Sequence, residues 1–194
     1  MPRPRGDTME RLLQAAVELI GEHGYSGTSI DEIVERAGVA KGTVYYHFSS
    51  KAALVQALLE DGLNRLAESF QREIEGAPTP IAALEALVRA ELAYIQRYEA
   101  FAKLVMSEMW RVDRDWRNAL QPLQEGYGKV IAGVLQDGMA AGEFRSDLDV
   151  RSTASALFGM VATGALNWLV FQRERPREEI ERNLLGLVLA AVRA

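Results

Sequence analysis

The chain has 194 residues, 48% hydrophobic and 25% charged, the proportions of a soluble globular protein with room for one small module and one larger one. It contains no cysteine, which excludes disulfides, thiol catalysis and cysteine-based zinc sites. A net charge of −5 argues against a uniformly basic binder of polyanions, so any nucleic-acid role needs a local cationic face.

The first residues carry Arg3 and Arg5 as a short basic arm, with no apolar stretch before the first acidic side chains. No secretory signal is read there, and a cytoplasmic location is expected. Apolar spacing predicts a first helix over 8–23, with Leu12, Ala16, Leu19 and Ile20 on one face and Gly24 as its stop. Ser29 and Glu32 have the spacing of a capping box, opening a second short helix that runs to Ala37. Gly38 supplies a tight turn, and a third helix runs through Phe48. Two short helices joined by a glycine turn make 29–48 a candidate helix-turn-helix. Between 36 and 59 there are three basic residues, Arg36, Lys41 and Lys51, and no acidic one.

Helical geometry assigns the faces of the third helix. At about 100° per residue, Val44 and Phe48 share the packed side, while Gly42 and Tyr46 fall nearly opposite and Thr43 and Tyr45 flank them. The outward face suits a major groove. Gly42 permits close backbone approach, Thr43 and Tyr45 reach phosphate oxygens, and Tyr46 reaches a base edge or thymine methyl. Lys41 lies in the first turn and His47 nearby. Lys51, at the start of the fourth helix, and Thr28 with Ser29, at the start of the second, are read as further phosphate contacts.

The run Ala37-Gly38-Val39-Ala40-Lys41-Gly42-Thr43-Val44-Tyr45-Tyr46-His47-Phe48, followed by Ser50-Lys51, resembles the DNA-binding signature of TetR-family repressors. The likeness extends back through Ala15-Ala16, Leu19-Ile20, Gly24-Tyr25 and Thr28-Ser29-Ile30. The resemblance implies an all-helical homodimer with a variable ligand-binding C-terminal domain. It also implies phosphate contacts from Thr43, Tyr45, His47 and Lys51, and base contacts from Lys41 and Tyr46. Asp31 departs from the pattern, because some relatives place a basic, base-contacting residue near there.

Ser49 and Ser50 offer the cap of a long fourth helix to about Glu75, and the GAPTP segment ends it. Helices are expected over 81–97, 99–110, 116–140, 149–173 and 176–193, with no strand pattern. An uncharged stretch from Ser152 to Gln172 has the length of a membrane span. Its six polar side chains favour a buried interface helix instead, and no membrane partner is expected. The small residues Ser152, Ser155, Ala156, Gly159 and Thr163, with Leu184, Leu187, Val188 and Ala191 on the last helix, are read as a dimer interface. Phe70, Phe101, Val105, Met106, Met109, Trp110, Tyr127, Asn167, Trp168 and Phe171 are read as lining an adaptable apolar pocket.

The expected architecture is all-α. A three-helix helix-turn-helix domain over 1–50 precedes a helical bundle over 51–194 that forms ligand pocket and dimer core. The expected partners are double-stranded operator DNA, a second copy of the chain and a small lipophilic effector. The segments around Leu148–Arg151, Phe158-Gly159 and Trp168–Val170 are similar to the acyl-CoA-responsive, FadR-like branch, which implies a fatty acyl-CoA or related compound. With two histidines, no paired histidines and no Gly-rich phosphate loop or triad, the sequence offers an enzyme little, and no cofactor or metal is expected.

Overall fold

The structure, a computed structural model, describes residues 5–109, 121 and 125–194, with side chains for 8–106, 121 and 125–194. The described residues form α-helices and no strand, in two compact units. The first holds 5–62 and 100–109; the second holds 63–99, 121 and 125–194. The division falls inside the fourth helix rather than at residue 50.

In the first unit, α1 (Arg5–Gly27) leaves helical geometry at Gly24, whose φ of 74° is a left-handed value. The expected stop is therefore present as a break, followed by one more turn. Ser29 caps α2 (Ile30–Ala37) with a full capping box, its hydroxyl accepting from the Glu32 amide. Gly38, at φ 60°, closes α2 in the left-handed conformation, and the amides of Gly38 and Val39 return to the carbonyls of Glu35 and Val34. Helix α3 (Lys41–His47) follows, and α4 (Lys51–Ile74) starts under the Ser50 hydroxyl, which accepts from the Ala53 amide. Leu12, Ala16, Ile33, Val44, Leu54 and Val55 build the core where these helices meet. Helix α6 (Glu99–Met109) adds Phe101, whose ring occupies the space a side chain would need at Gly62.

The second unit begins its bundle at α5 (Pro80–Arg97), with Thr79 as N-cap and Pro80 in the first turn, where its missing N–H does no harm. Helices α7 (Tyr127–Ala140), α8 (Val150–Phe171) and α9 (Arg177–Val192) complete it. The expected helix over 116–140 begins outside the described residues. Helix α8 is central and packs against α5, α7 and α9. Its length and composition would allow it to cross a membrane, but Leu157, Phe158, Val161, Ala165 and Trp168 are buried in the bundle. A bridge between Phe144 and Arg193 ties the last residues back to the α7–α8 connection.

Candidate functional site

Helix α3 divides cleanly between anchor and display. Val44 is fully buried and Phe48 nearly so, while Tyr45 is 52% and Tyr46 76% exposed. Lys41, Gly42 and His47 are exposed, Thr43 is half-buried, and a side chain added at Gly42 would meet nothing within 4 Å beyond its chain neighbours and its own helix backbone. Tyr46 and His47 meet edge to face at 5.1 Å. The outcome is an open surface of phenols, a hydroxyl, an imidazole and an ammonium.

Three expected DNA contacts have hydrogen-bond partners inside the protein. The Thr28 side chain is buried, and its hydroxyl donates to the carbonyls of Leu19 at 3.1 Å and Gly24 at 3.0 Å, sealing the α1 break. The Ser29 hydroxyl is taken up by the capping box, donating to the Glu32 carboxylate at 2.7 Å. That hydroxyl and the Ser29 amide hold the Glu32 carboxyl below its usual range. Lys51 donates to the Tyr25 and Thr28 carbonyls at 2.7 Å each and lies over the Tyr25 ring at 4.2 Å. It serves as a clamp on the end of α1 before it can serve a phosphate. Arg3 lies outside the described residues, as does the Arg5 side chain.

Two arrangements escaped sequence reasoning. Arg11 donates through Nε to the Ala37 carbonyl at 3.0 Å and through Nη2 to the Gly38 carbonyl at 2.7 Å. Its guanidinium thus holds the α2–α3 turn at a helix C-terminus, where a cation is favourable. Lys41 and Asp31 form an ion pair, with Nζ 2.7 Å from Oδ1 and 2.9 Å from Oδ2. The hydrogen bond to Asp31, then its charge, raises the Lys41 pKa above the ordinary lysine value.

The expected pocket residues divide between the units. Phe101, Val105 and Met106 belong to the first, where Phe101 and Val105 are buried. In the second, Phe70, Tyr127 and Trp168 are buried, and the Trp168 indole donates to the Arg175 carbonyl at 3.0 Å. Asn167 and Phe171 are corrections. Asn167 is exposed and accepts from Gln172, and Phe171 is 75% exposed, because both lie on the outer face of α8. Trp110 and the Met109 side chain fall outside the described residues. The second unit has an open groove of about 1080 Å³, lined by Tyr127, Lys129, Ala132, Gln136, Val150, Arg151 and neighbours. Tyr127 is the expected pocket residue that lines it.

Tyr127 also stacks on Phe158 at 4.0 Å and neighbours a group the sequence reading passed over. Glu91, on α5, is buried, and its Oε1 has no hydrogen-bond partner among the described residues. Burial pushes the Glu91 carboxyl well above its usual range, and burial followed by the Glu91 charge pushes the Tyr127 phenol up to about 12. The signal was present: Glu91 follows Leu84, Leu87 and Val88 at helical spacing on the buried stripe of α5.

Of the expected dimer residues, Ser152, Ser155, Ala156, Thr163, Leu187 and Ala191 are exposed and Gly159 is half-buried. Leu184 and Val188 are corrections: both are buried within the protomer, with Leu184 set into the notch at Gly164. From 184 to 192 helix α9 is apolar on every side, so its sequence alone did not say which side turns inward.

Residues 12–58 match the family described as bacterial regulatory proteins, tetR family, and residues 77–192 match the tetracyclin repressor-like C-terminal domain. The fatty acid metabolism regulator protein of Bacillus subtilis is 23% identical over 94% of each chain. The transcriptional repressor KstR2 of Rhodococcus jostii is 30% identical over 77% of this chain and 76% of its own. Among solved structures, FadR from B. subtilis in complex with stearoyl-CoA superposes with a TM-score of 0.84 at 23% identity, over 93% of this chain and 97% of that one. Together the two family matches cover most of both units, and the chain belongs to the TetR family of bacterial regulatory proteins.

Proposed function

We propose that the chain is a homodimeric transcriptional repressor, acting in the cytoplasm, that binds operator DNA through the exposed face of α3 and releases it when a lipophilic effector binds the second unit. The observation that carries this reading is the outward turn of Tyr45 and Tyr46 over a buried Val44. Two phenols so exposed on so short a helix are poorly explained by core packing. Thr43, Tyr45 and His47 would address phosphates, and Tyr46, Lys41 and the open backbone at Gly42 would address base edges. Arg3 and Arg5 would add an electrostatic arm. In a dimer the two α3 helices would enter successive major grooves about 34–36 Å apart.

A fatty acyl-CoA is the effector class best supported. The fatty acid regulator of B. subtilis and the FadR structure holding stearoyl-CoA point to it. The α7–α8 groove sets Lys129 and Arg151 beside Tyr127 and Ala154, so cations for an anionic end lie next to apolar surface for a chain. An effector releases DNA only to the extent that it prefers the non-binding geometry.

The test is recovery of bound DNA from a random pool, with and without stearoyl-CoA. An inverted repeat should be enriched, and stearoyl-CoA should weaken its binding. Tyr46→Ala should lower the ratio of operator to random-DNA affinity by about 10-fold or more, the value of one lost base contact. Equal weakening on both DNAs would refute base reading by Tyr46, and no enriched sequence would refute the regulator.

A further inference from the structure

The Lys41–Asp31 pair lies on the surface that α2 and α3 turn outward. Both side chains are more than half exposed. Exposed ion pairs add little to stability, so the pair is poorly explained as a fold device. Its placement is also electrostatically asymmetric. Asp31 stands in the first turn of α2, where an acid is favoured, whereas Lys41 stands in the first turn of α3, where a cation is disfavoured. Left alone, the Lys41 ammonium would swing away on its flexible stem towards solvent or the nearest anion. Asp31 instead holds it through both carboxylate oxygens, at 2.7 and 2.9 Å.

On DNA this arrangement has two consequences. A lysine held by a carboxylate has its donors directed and its net charge cancelled, so it loses value as a general phosphate contact. It keeps value where the DNA presents clustered acceptors, as the O6 and N7 atoms of guanine do in the major groove. We propose that Asp31 is a specificity-determining residue, which restrains Lys41 for guanine recognition and subtracts affinity from DNA lacking that base. This rests on the DNA-binding reading above. Asp31 is a positioning residue in this scheme, acting through Lys41.

The experiment compares the full-length chain with Asp31→Asn, Lys41→Ala and the double variant, on the recovered operator and on a random duplex, across a salt series. Asp31→Asn leaves Ser29 and Glu32 of the capping box in place, so α2 should persist, and circular dichroism checks this. It should tighten random-DNA binding several-fold and steepen its salt dependence by about 0.9, the increment for one further neutralised phosphate. Operator affinity should change less, so the specificity ratio falls. In the Lys41→Ala background, Asp31→Asn should leave the salt slope unchanged. A loss of helix dipole stabilisation would move the melting temperature without moving that slope. The inference is overturned if Asp31→Asn shifts both DNAs equally, or shifts them as much without Lys41. A parent chain that prefers no sequence would instead overturn the regulator reading, and this inference with it.

Discussion

Glu91 shows how much one side chain can oppose its surroundings. A buried carboxyl with an unpartnered oxygen destabilises by about 1–3 kcal/mol relative to a satisfied or apolar group. Its proton is bound more tightly in the folded chain than in the unfolded one. Folding is therefore favoured below the ordinary value of 4.5 and progressively disfavoured as pH rises above it towards the folded value. Glu91→Met should raise the melting temperature by several degrees near pH 7, with a smaller gain near pH 4, since each kcal/mol is worth about 2–4 °C in a domain of this size. Scanning calorimetry at the two pH values checks it. A lower melting temperature at both would mean that the carboxyl supports the fold. A neighbouring lesson comes from Lys51, which stands where a phosphate-binding cation belongs and whose donors go to the carbonyls that end α1.

Helix α3 forms although little in its own sequence favours it. It has seven residues, and its N-cap, Ala40, offers no side-chain hydrogen bond. So short a helix is unstable alone, and it is held from outside by Val44 in the core and by the turn before it. That turn depends on Gly38 at φ 60° and on the Arg11 guanidinium gripping its carbonyls. Gly38→Ala should cost about 1–2 kcal/mol through the left-handed backbone and weaken operator binding beyond what the lost stability explains, since the turn sets the angle of α3. Thermal unfolding and DNA titration of the same preparation separate the two effects, and a variant with normal melting and normal binding would contradict this. What could be read beforehand follows the same division. The capping box of Ser29 and Glu32, the stop at Gly24, the turn at Gly38 and the outward phenols are local features, decided within a few residues. Lys51 and Arg11 find their partners 23 to 27 residues away, and Thr28 finds one of its two 9 residues away, so their roles could not be seen from spacing.

At the scale of the whole molecule, the protomer leaves a long band of α8 and α9 uncovered. Ser152, Ser155, Ala156 and Thr163 give way along α8 to Val170 and Phe171, and α9 contributes Leu187, 57% exposed. Exposed apolar side chains such as Val170, Phe171 and Leu187 are typical of an interface. Sequence singled out Ser152, Ser155, Ala156, Thr163 and Leu187, but not Val170, and it assigned Phe171 to the pocket. Leu184 and Val188, equally apolar, turn inward, and only the notch at Gly164 reveals why.

That contrast among glycines has a practical consequence. At Gly164 an added side chain would stand 2.6 Å from Leu184, so a change there injures the subunit itself. At Gly159, five residues earlier on the same helix, it would meet nothing within 4 Å. Gly159→Leu should therefore leave each subunit as well folded as before, by far-ultraviolet circular dichroism, while light scattering reports a shift from two copies to one. Unchanged mass would mean that the partner docks elsewhere. Nature has left at this position a probe that speaks only of assembly, silent on whether the individual chain has folded.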